Sequence, residues 1–188
     1  SLVPLDVVFR AETSRELARD LEERALASRP PRIVPAPVDT RPRLGASQRR
    51  MWWLHALDPA SSAYHVAFAL DLEGALDEAA MTRALDVVSR RHESLRTRFV
   101  EAQGNVVPVV DDTPIALERA SCHREALEDW LERFANRPFD LAADPPTRAA
   151  LVRVSDAVAC LAFCIHHVAI DGAAIDVLHD ELFGAYEA

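Results

Sequence analysis

Glycine, cysteine and long apolar runs are all scarce in this 188-residue chain, and each scarcity excludes something. A bilayer-spanning helix needs about 20 consecutive apolar residues, and no run comes near that length. The N-terminus has no leader-like sequence of basic then apolar residues. Three cysteines, an odd number, do not make a disulfide framework; free thiols fit a cytoplasmic setting. Only five glycines occur and none form a phosphate-cradling loop. Acidic residues outnumber basic ones 30 to 21, giving a net charge of -9, and no basic tract stands out. That balance argues against a nucleic-acid partner, which wants excess positive charge facing phosphate. What remains is 49% hydrophobic and 27% charged, enough to bury one core with a short appendage.

Residues 1–29 read as a turn and an amphipathic helix, capped by Thr13 or Ser14, with Glu16 in the first turn and Leu17, Leu21, Ala25 and Leu26 on one face. The proline-rich stretch 30–43 forbids regular helix and reads as a linker. From residue 44 to 188 the pattern is α/β, a mixed sheet with covering helices. Helices are expected from Ser47 to Leu57 behind a polar cap, from Asp77 to Arg91, over 123–135 and from Ala173 to Ala188. Strands are expected over Tyr64–Leu72, Leu95–Glu101, Val106–Val110, Ala149–Val154 and Val158–His166.

The last of these strands carries the chemistry. Val158 to Ile165 has no polar side chain apart from two thiols, so neither face is polar and the strand should be buried on both. It ends in His166-His167-Val168-Ala169-Ile170-Asp171-Gly172. Successive strand side chains point to opposite faces, so His166 and His167 part company: His166 reads as structural, His167 as a candidate base or hydrogen-bonding group. Asp171 is a candidate to orient His167, as a triad acid would. Gly172 allows close backbone approach and offers an N–H at a helix start. His166, His167 and Asp171 with Cys160 or Cys164 are zinc-ligand types. Adjacent strand histidines diverge, however, and neither CxxC nor HExxH occurs, so no metal is expected. Cys160 and Cys164 share strand parity and read as small core hydrophobes.

Five segments in order resemble the condensation domain of nonribosomal peptide synthetases, a branch of the chloramphenicol acetyltransferase-like superfamily. Arg91-His92-Glu93-Ser94-Leu95-Arg96-Thr97-Arg98-Phe99 matches the RHExLRTxF segment, and His166 to Gly172 the HHxxxDG motif. Ser47-Gln48-Arg49-Arg50-Met51-Trp52-Trp53-Leu54 is similar to the opening SxAQxRxWxL segment, with Gly45 and Ser47 departing from it. Asp58-Pro59 with Ala63-Tyr64, and Arg137-Pro138-Phe139-Asp140-Leu141 with Pro145, Pro146 and Arg148, continue the match. Residues 1–29 look like the C-terminal helices of a peptidyl carrier domain without its phosphopantetheine serine.

The resemblance implies the N-terminal lobe of a two-lobed domain over 44–188, with His167 at the centre of a tunnel between the lobes. It implies amide formation between carrier-bound aminoacyl or peptidyl thioesters. The 4'-phosphopantetheine would be carried by donor and acceptor carrier domains rather than by this chain, and the C-terminal lobe would be a further partner. Without that lobe the chain is expected to be inactive. Asp171 is expected, by resemblance, to pair with an arginine. Arg91, Glu93 and Arg96, with Arg50, read as a buried structural network, and Trp52 and Tyr64 as packing anchors. Ala173-Ala174 stand where many relatives have Trp-Ser. A noncatalytic recruitment domain and an acyltransferase of the same superfamily are the other readings; the intact HHxxxDG speaks against the first, the carrier-like tail against the second.

Overall fold

The computed structural model describes residues 13–27 and 43–188, which fall in two compact units divided between Arg41 and Pro42. In the first, helix α1 (Ser14–Ala27) opens on Thr13, whose hydroxyl accepts the Glu16 N–H at 3.2 Å. The expected linker lies outside the described residues apart from Arg43.

The second unit is an α/β body. Helix α2 spans Ala46–Leu57; strand β1, His65–Glu73; helix α3, Glu78–Arg91; and a 3-10 turn, Glu93–Arg96. Strands β2 (Thr97–Ala102), β3 (Asn105–Val110) and β4 (Leu117–Ser121) follow, then a short 3-10 turn, helix α4 (Leu127–Asn136), strands β5 (Thr147–Ser155) and β6 (Val158–His166), and helix α5 (Gly172–Tyr186). The main sheet runs β1-β6-β5-β4, with β6 antiparallel to both neighbours and β4 parallel to β5. Strands β2 and β3 form a separate hairpin turned by Gln103 and Gly104, both at positive φ. Such a two-residue turn matches the right-handed twist of its strands.

Strand β6 is buried from Ala159 to His166 because both faces are covered. Leu161, Phe163 and Ile165 pack with Met81, Leu85 and Val88 of α3 and Leu178 and Leu182 of α5. On the other face Ala162 and Cys164 meet Phe134 of α4, Phe139 and Leu141, with Met51 and Trp52 of α2 against them. Small residues on that second face let α4 approach closely.

Three local expectations need correction. Strand β4 is not among the expected strands; Leu117-Glu118-Arg119-Ala120-Ser121 is short and mostly polar, as an edge strand can be. Leu95 belongs to the 3-10 turn rather than to β2, and α2 begins at Ala46. Its start is closed by the Gln48 side chain accepting the Gly45 N–H at 3.1 Å, so the polar cap reaches back from inside the helix. No helix among the described residues is long and apolar enough to cross a membrane.

Candidate active site

The two histidines separate as strand alternation demands. His166 is 1% exposed, while His167 faces solvent. Hydrogen bonds from the His166 N–H to the Pro146 carbonyl and from the His167 N–H to the Tyr64 carbonyl, both 2.8 Å, carry the end of β6 between β5 and the start of β1. The chain then turns, with the Ala169 N–H on the His166 carbonyl at 2.9 Å.

Within this turn each ring has an assigned tautomer. The His167 Nδ1 lies 2.6 Å from the Ile170 carbonyl. A carbonyl only accepts, so Nδ1 carries the hydrogen, and Nε2 of the neutral ring holds its lone pair. The His166 Nδ1 accepts the Val168 N–H at 3.1 Å, so the neutral His166 ring carries its hydrogen on Nε2. Burial, reinforced by His55, His65 and His167, pushes the His166 pKa down to about 3. That ring is neutral at any ordinary pH and serves as a fixed acceptor. The His167 ring is the one aimed outward.

Asp171 does not orient His167, since the Ile170 carbonyl occupies the Nδ1 position. Its carboxylate instead caps α5, accepting the Ala174 N–H at 3.1 Å, and it makes no ion pair among the described residues. Asp171→Ala is therefore expected to destabilise the body by about 1 kcal/mol. Denaturant unfolding measures this, and a change under a few tenths would show that the cap is not formed. Gly172 is the first residue of α5, and a Cβ added there would meet nothing within 4 Å. Open space, rather than close packing, lies in front of it.

The residues expected to form one buried charge network are dispersed. Arg96 spans two backbone carbonyls, with its Nε on Ser89 at 3.1 Å and its Nη1 on Asp111. Arg91 and His92 both reach Glu181 of α5, at 3.3 and 2.6 Å, and these contacts hold the Glu181 carboxyl below its ordinary range. Among the described residues Glu93 contributes only its carbonyl, which accepts the Thr97 hydroxyl at 2.6 Å. Arg50 is exposed on α2 and makes no ion pair among the described residues. For Arg96 backbone carbonyls won, one near the C-terminal end of α3, where carbonyls lack helical partners, and one just after β3.

Arg148 satisfies another helix end, donating to the carbonyls of Phe134, Arg137 and Pro138 while stacking 4.0 Å over the Phe139 ring. One of its Nη atoms also lies 3.4 Å from the Cys164 Sγ. Both Cys160 and Cys164 are buried, which raises their thiol pKa values and keeps them protonated. Among the described residues no cluster of three or more His, Cys, Asp or Glu is placed to hold a metal ion. A groove of about 830 Å³ runs between α4 and β1, lined by Ala67, Ala69, Leu127 and Leu131; His167 is not among its lining residues.

Two features of the site were not read from the sequence. One is the Ile170 carbonyl, a backbone group no side-chain pattern reveals. The other is the pair His55 and His65: the His65 ring meets His166 because β1 pairs with β6 in the register His65 to His166, and the His55 ring reaches it from α2.

A family model described as the condensation domain matches residues 40–188. The chain is 39% identical over 174 residues to chondramide synthase cmdD of Chondromyces crocatus, covering 87% of this chain and 4% of that protein. It is 33% identical over 180 residues to tyrocidine synthase 2 of Brevibacillus parabrevis, covering 95% of this chain and 5% of that protein. Among solved structures it superposes on the X-domain in the complex of the X-domain and OxyB from teicoplanin biosynthesis, with a TM-score of 0.75 and 34% identity over 82% of this chain and 34% of that one. It also superposes on the starter condensation domain of rhizomide synthetase, with a TM-score of 0.74 and 22% identity over 80% of this chain and 38% of that one.

Proposed function

The chain belongs to the condensation domain family, and from that premise we propose that His167 serves amide formation between two carrier-bound thioesters. The acceptor amine attacks the donor thioester carbonyl, forming C–N and breaking C–S. The donor arm leaves as a thiol, and the amine loses a proton. His167 Nε2 is placed to accept that proton, or to hold the amine in line through a hydrogen bond. The observation that carries this reading is the outward His167 ring, with its Nδ1 committed to the Ile170 carbonyl and its Nε2 lone pair left for the substrate.

The remaining roles follow from the same geometry. His166 fixes the turn from beneath by accepting the Val168 N–H. Asp171 fixes the start of α5, and the open space before Gly172 gives room for an acyl group. The thioesters would be tethered to phosphopantetheine arms of donor and acceptor carrier domains, in a cytoplasmic enzyme whose thiols, like the free Cys122, Cys160 and Cys164 here, stay reduced. The chain covers only about a third of the solved domains it resembles. We therefore assign residues 44–188 to one lobe, the opposite wall of the tunnel to a second, residues 1–29 to a preceding carrier domain and residues 30–43 to the linker between them. On this assignment the 188-residue chain by itself turns over no substrate.

The likeness to the X-domain favours one competing reading, a recruitment module without chemistry. The test is to load donor and acceptor carriers of the intact parent protein and analyse the acceptor arm by mass spectrometry. An amide-linked product is expected. Stable binding of a second enzyme with no amide product would favour recruitment, and ester formation on a hydroxyl acceptor would favour an alcohol acyltransferase.

A further inference from the structure

Beneath the candidate site lies a group of histidines that the acyl transfer does not use. His55 near the end of α2, His65 at the start of β1 and His166 at the end of β6 bring their rings together on one face of the sheet. The ring centroids of His55 and His166 are 5.2 Å apart, those of His65 and His166 6.1 Å, both pairs edge to face. Phe139 closes the group, edge-on to His65 at 4.9 Å and to His166 at 6.1 Å.

At His65 and His166 the hydrogen bonding leaves no room for an added proton. The His65 Nδ1 donates to the Ala135 carbonyl at 2.7 Å, so its Nε2 is a lone pair, and that atom is buried with no partner among the described residues. A proton there would be a buried charge without an acceptor. The His166 Nδ1 already accepts the Val168 N–H; a proton on it would set two donors face to face. The charged and titratable groups acting on the trio from neighbouring elements are Arg148 of β5 on His65, Asp140 after α4 on His55, and His167 on His166. Arg148 opposes a second cation, and Asp140 is the one anion among them.

We propose that this trio is an acid-release device, clamping α2 onto the sheet while all three rings are neutral and freeing it when one is protonated. Loss of the clamp also slackens the His166–Ile170 turn, so His167 loses its fixed orientation in the same event. The direction of the effect follows from linkage. In the unfolded chain each ring takes up its proton near pH 6.5. In the folded chain burial is the largest cause lowering all three, with His166 at about 3. The unfolded state therefore binds more protons across that window, and stability falls as the pH drops from about 6.5 towards about 3.

The test uses the 188-residue chain, with unfolding in guanidinium followed by tryptophan fluorescence, to which Trp52 and Trp53 of α2 contribute alongside Trp130 of α4. Each depressed histidine raises the unfolding constant by up to tenfold per pH unit below its free pKa, so the trio contributes up to about a thousandfold per unit. The double substitution His55→Gln with His65→Asn removes two of the three, and its pH dependence should be shallower by up to about a hundredfold per unit. Carboxylate titration is common to both proteins and cancels in the comparison. A second measurement needs no variant: NMR titration of the imidazole Cε1 protons in the folded chain. Titration midpoints below 6.5 are expected for all three rings, with that of His166 the lowest, at about 3. Equal pH dependence in variant and parent, or all three rings titrating near 6.5 in the folded state, would overturn the proposal.

Discussion

Replacing His167 by alanine in the intact parent protein is expected to lower amide formation by about 10²- to 10⁴-fold, the range typical of a positioned acid–base group. The His167 side chain is exposed and among the described residues makes one hydrogen bond, to the Ile170 carbonyl, so the fold should survive its removal with a loss of about 1 kcal/mol or less. The pairing of a large kinetic effect with a small structural one is what separates a catalytic His167 from a structural one. A substitution at His166 should differ by costing stability as well as rate, because that ring is buried and accepts the Val168 N–H of the turn that carries His167. If the His167→Ala protein formed product at the parental rate, with the acceptor carrier loaded to the same extent, His167 would have no part in the chemistry.

The largest stability effect is expected at Phe163. It sits midway along β6, 2% exposed, stacked on Phe68 of β1 with centroids 5.2 Å apart, and packs in the cluster formed by α3 and α5. Phe163→Ala should cost about 3–5 kcal/mol, combining lost burial with the cavity left behind. That is a large part of the 5–15 kcal/mol that holds a typical domain. Val177→Ala, on the exposed side of α5, should by contrast change stability by no more than about 0.5 kcal/mol. Denaturant midpoints for the two variants test the layered core directly. A Phe163 effect as small as that of Val177 would mean that β6 is not the packed centre of the sheet.

Much of this arrangement is legible in the sequence where one physical signal dominates. The apolar run from Val158 to Ile165 announces a strand covered on both faces, and helical spacing of Met81, Ala84, Leu85 and Val88 announces α3. Both are observed. The expected parting of His166 from His167 is observed, with β6 ending at His166 and the hydrogen bonds to Pro146 and Tyr64 holding the chain on either side as the turn begins. Strand β4 escapes a sequence reading because its polar composition resembles a loop, and only its pairing with β5 makes it a strand. Asp171 has the spacing of a helix cap as well as that of an orienting acid; the local cap to Ala174 prevails over the more distant ring. Arg91, Glu93 and Arg96 read as partners of one another, but Arg96 takes the carbonyls of Ser89 and Asp111 and Arg91 takes Glu181 of α5, partners that only the packing of separate segments supplies. The His55–His65–His166 group depends on contacts between residues far apart in the chain, set by the β1–β6 register for His65 and by the packing of α2 for His55, rather than on any local pattern.

The central claim is that the Ile170 carbonyl holds His167 with Nδ1 protonated and the Nε2 lone pair turned outward. Nitrogen-15 NMR of the His167 ring measures this without substrate or partner. Free imidazole side chains in water favour the opposite tautomer, with the hydrogen on Nε2, so the two outcomes are well separated. A neutral His167 protonated at Nδ1, with Nε2 as the acceptor nitrogen, is the predicted result. A neutral ring carrying its hydrogen mainly on Nε2 would contradict it, because the nitrogen facing the substrate could then no longer take the amine's proton.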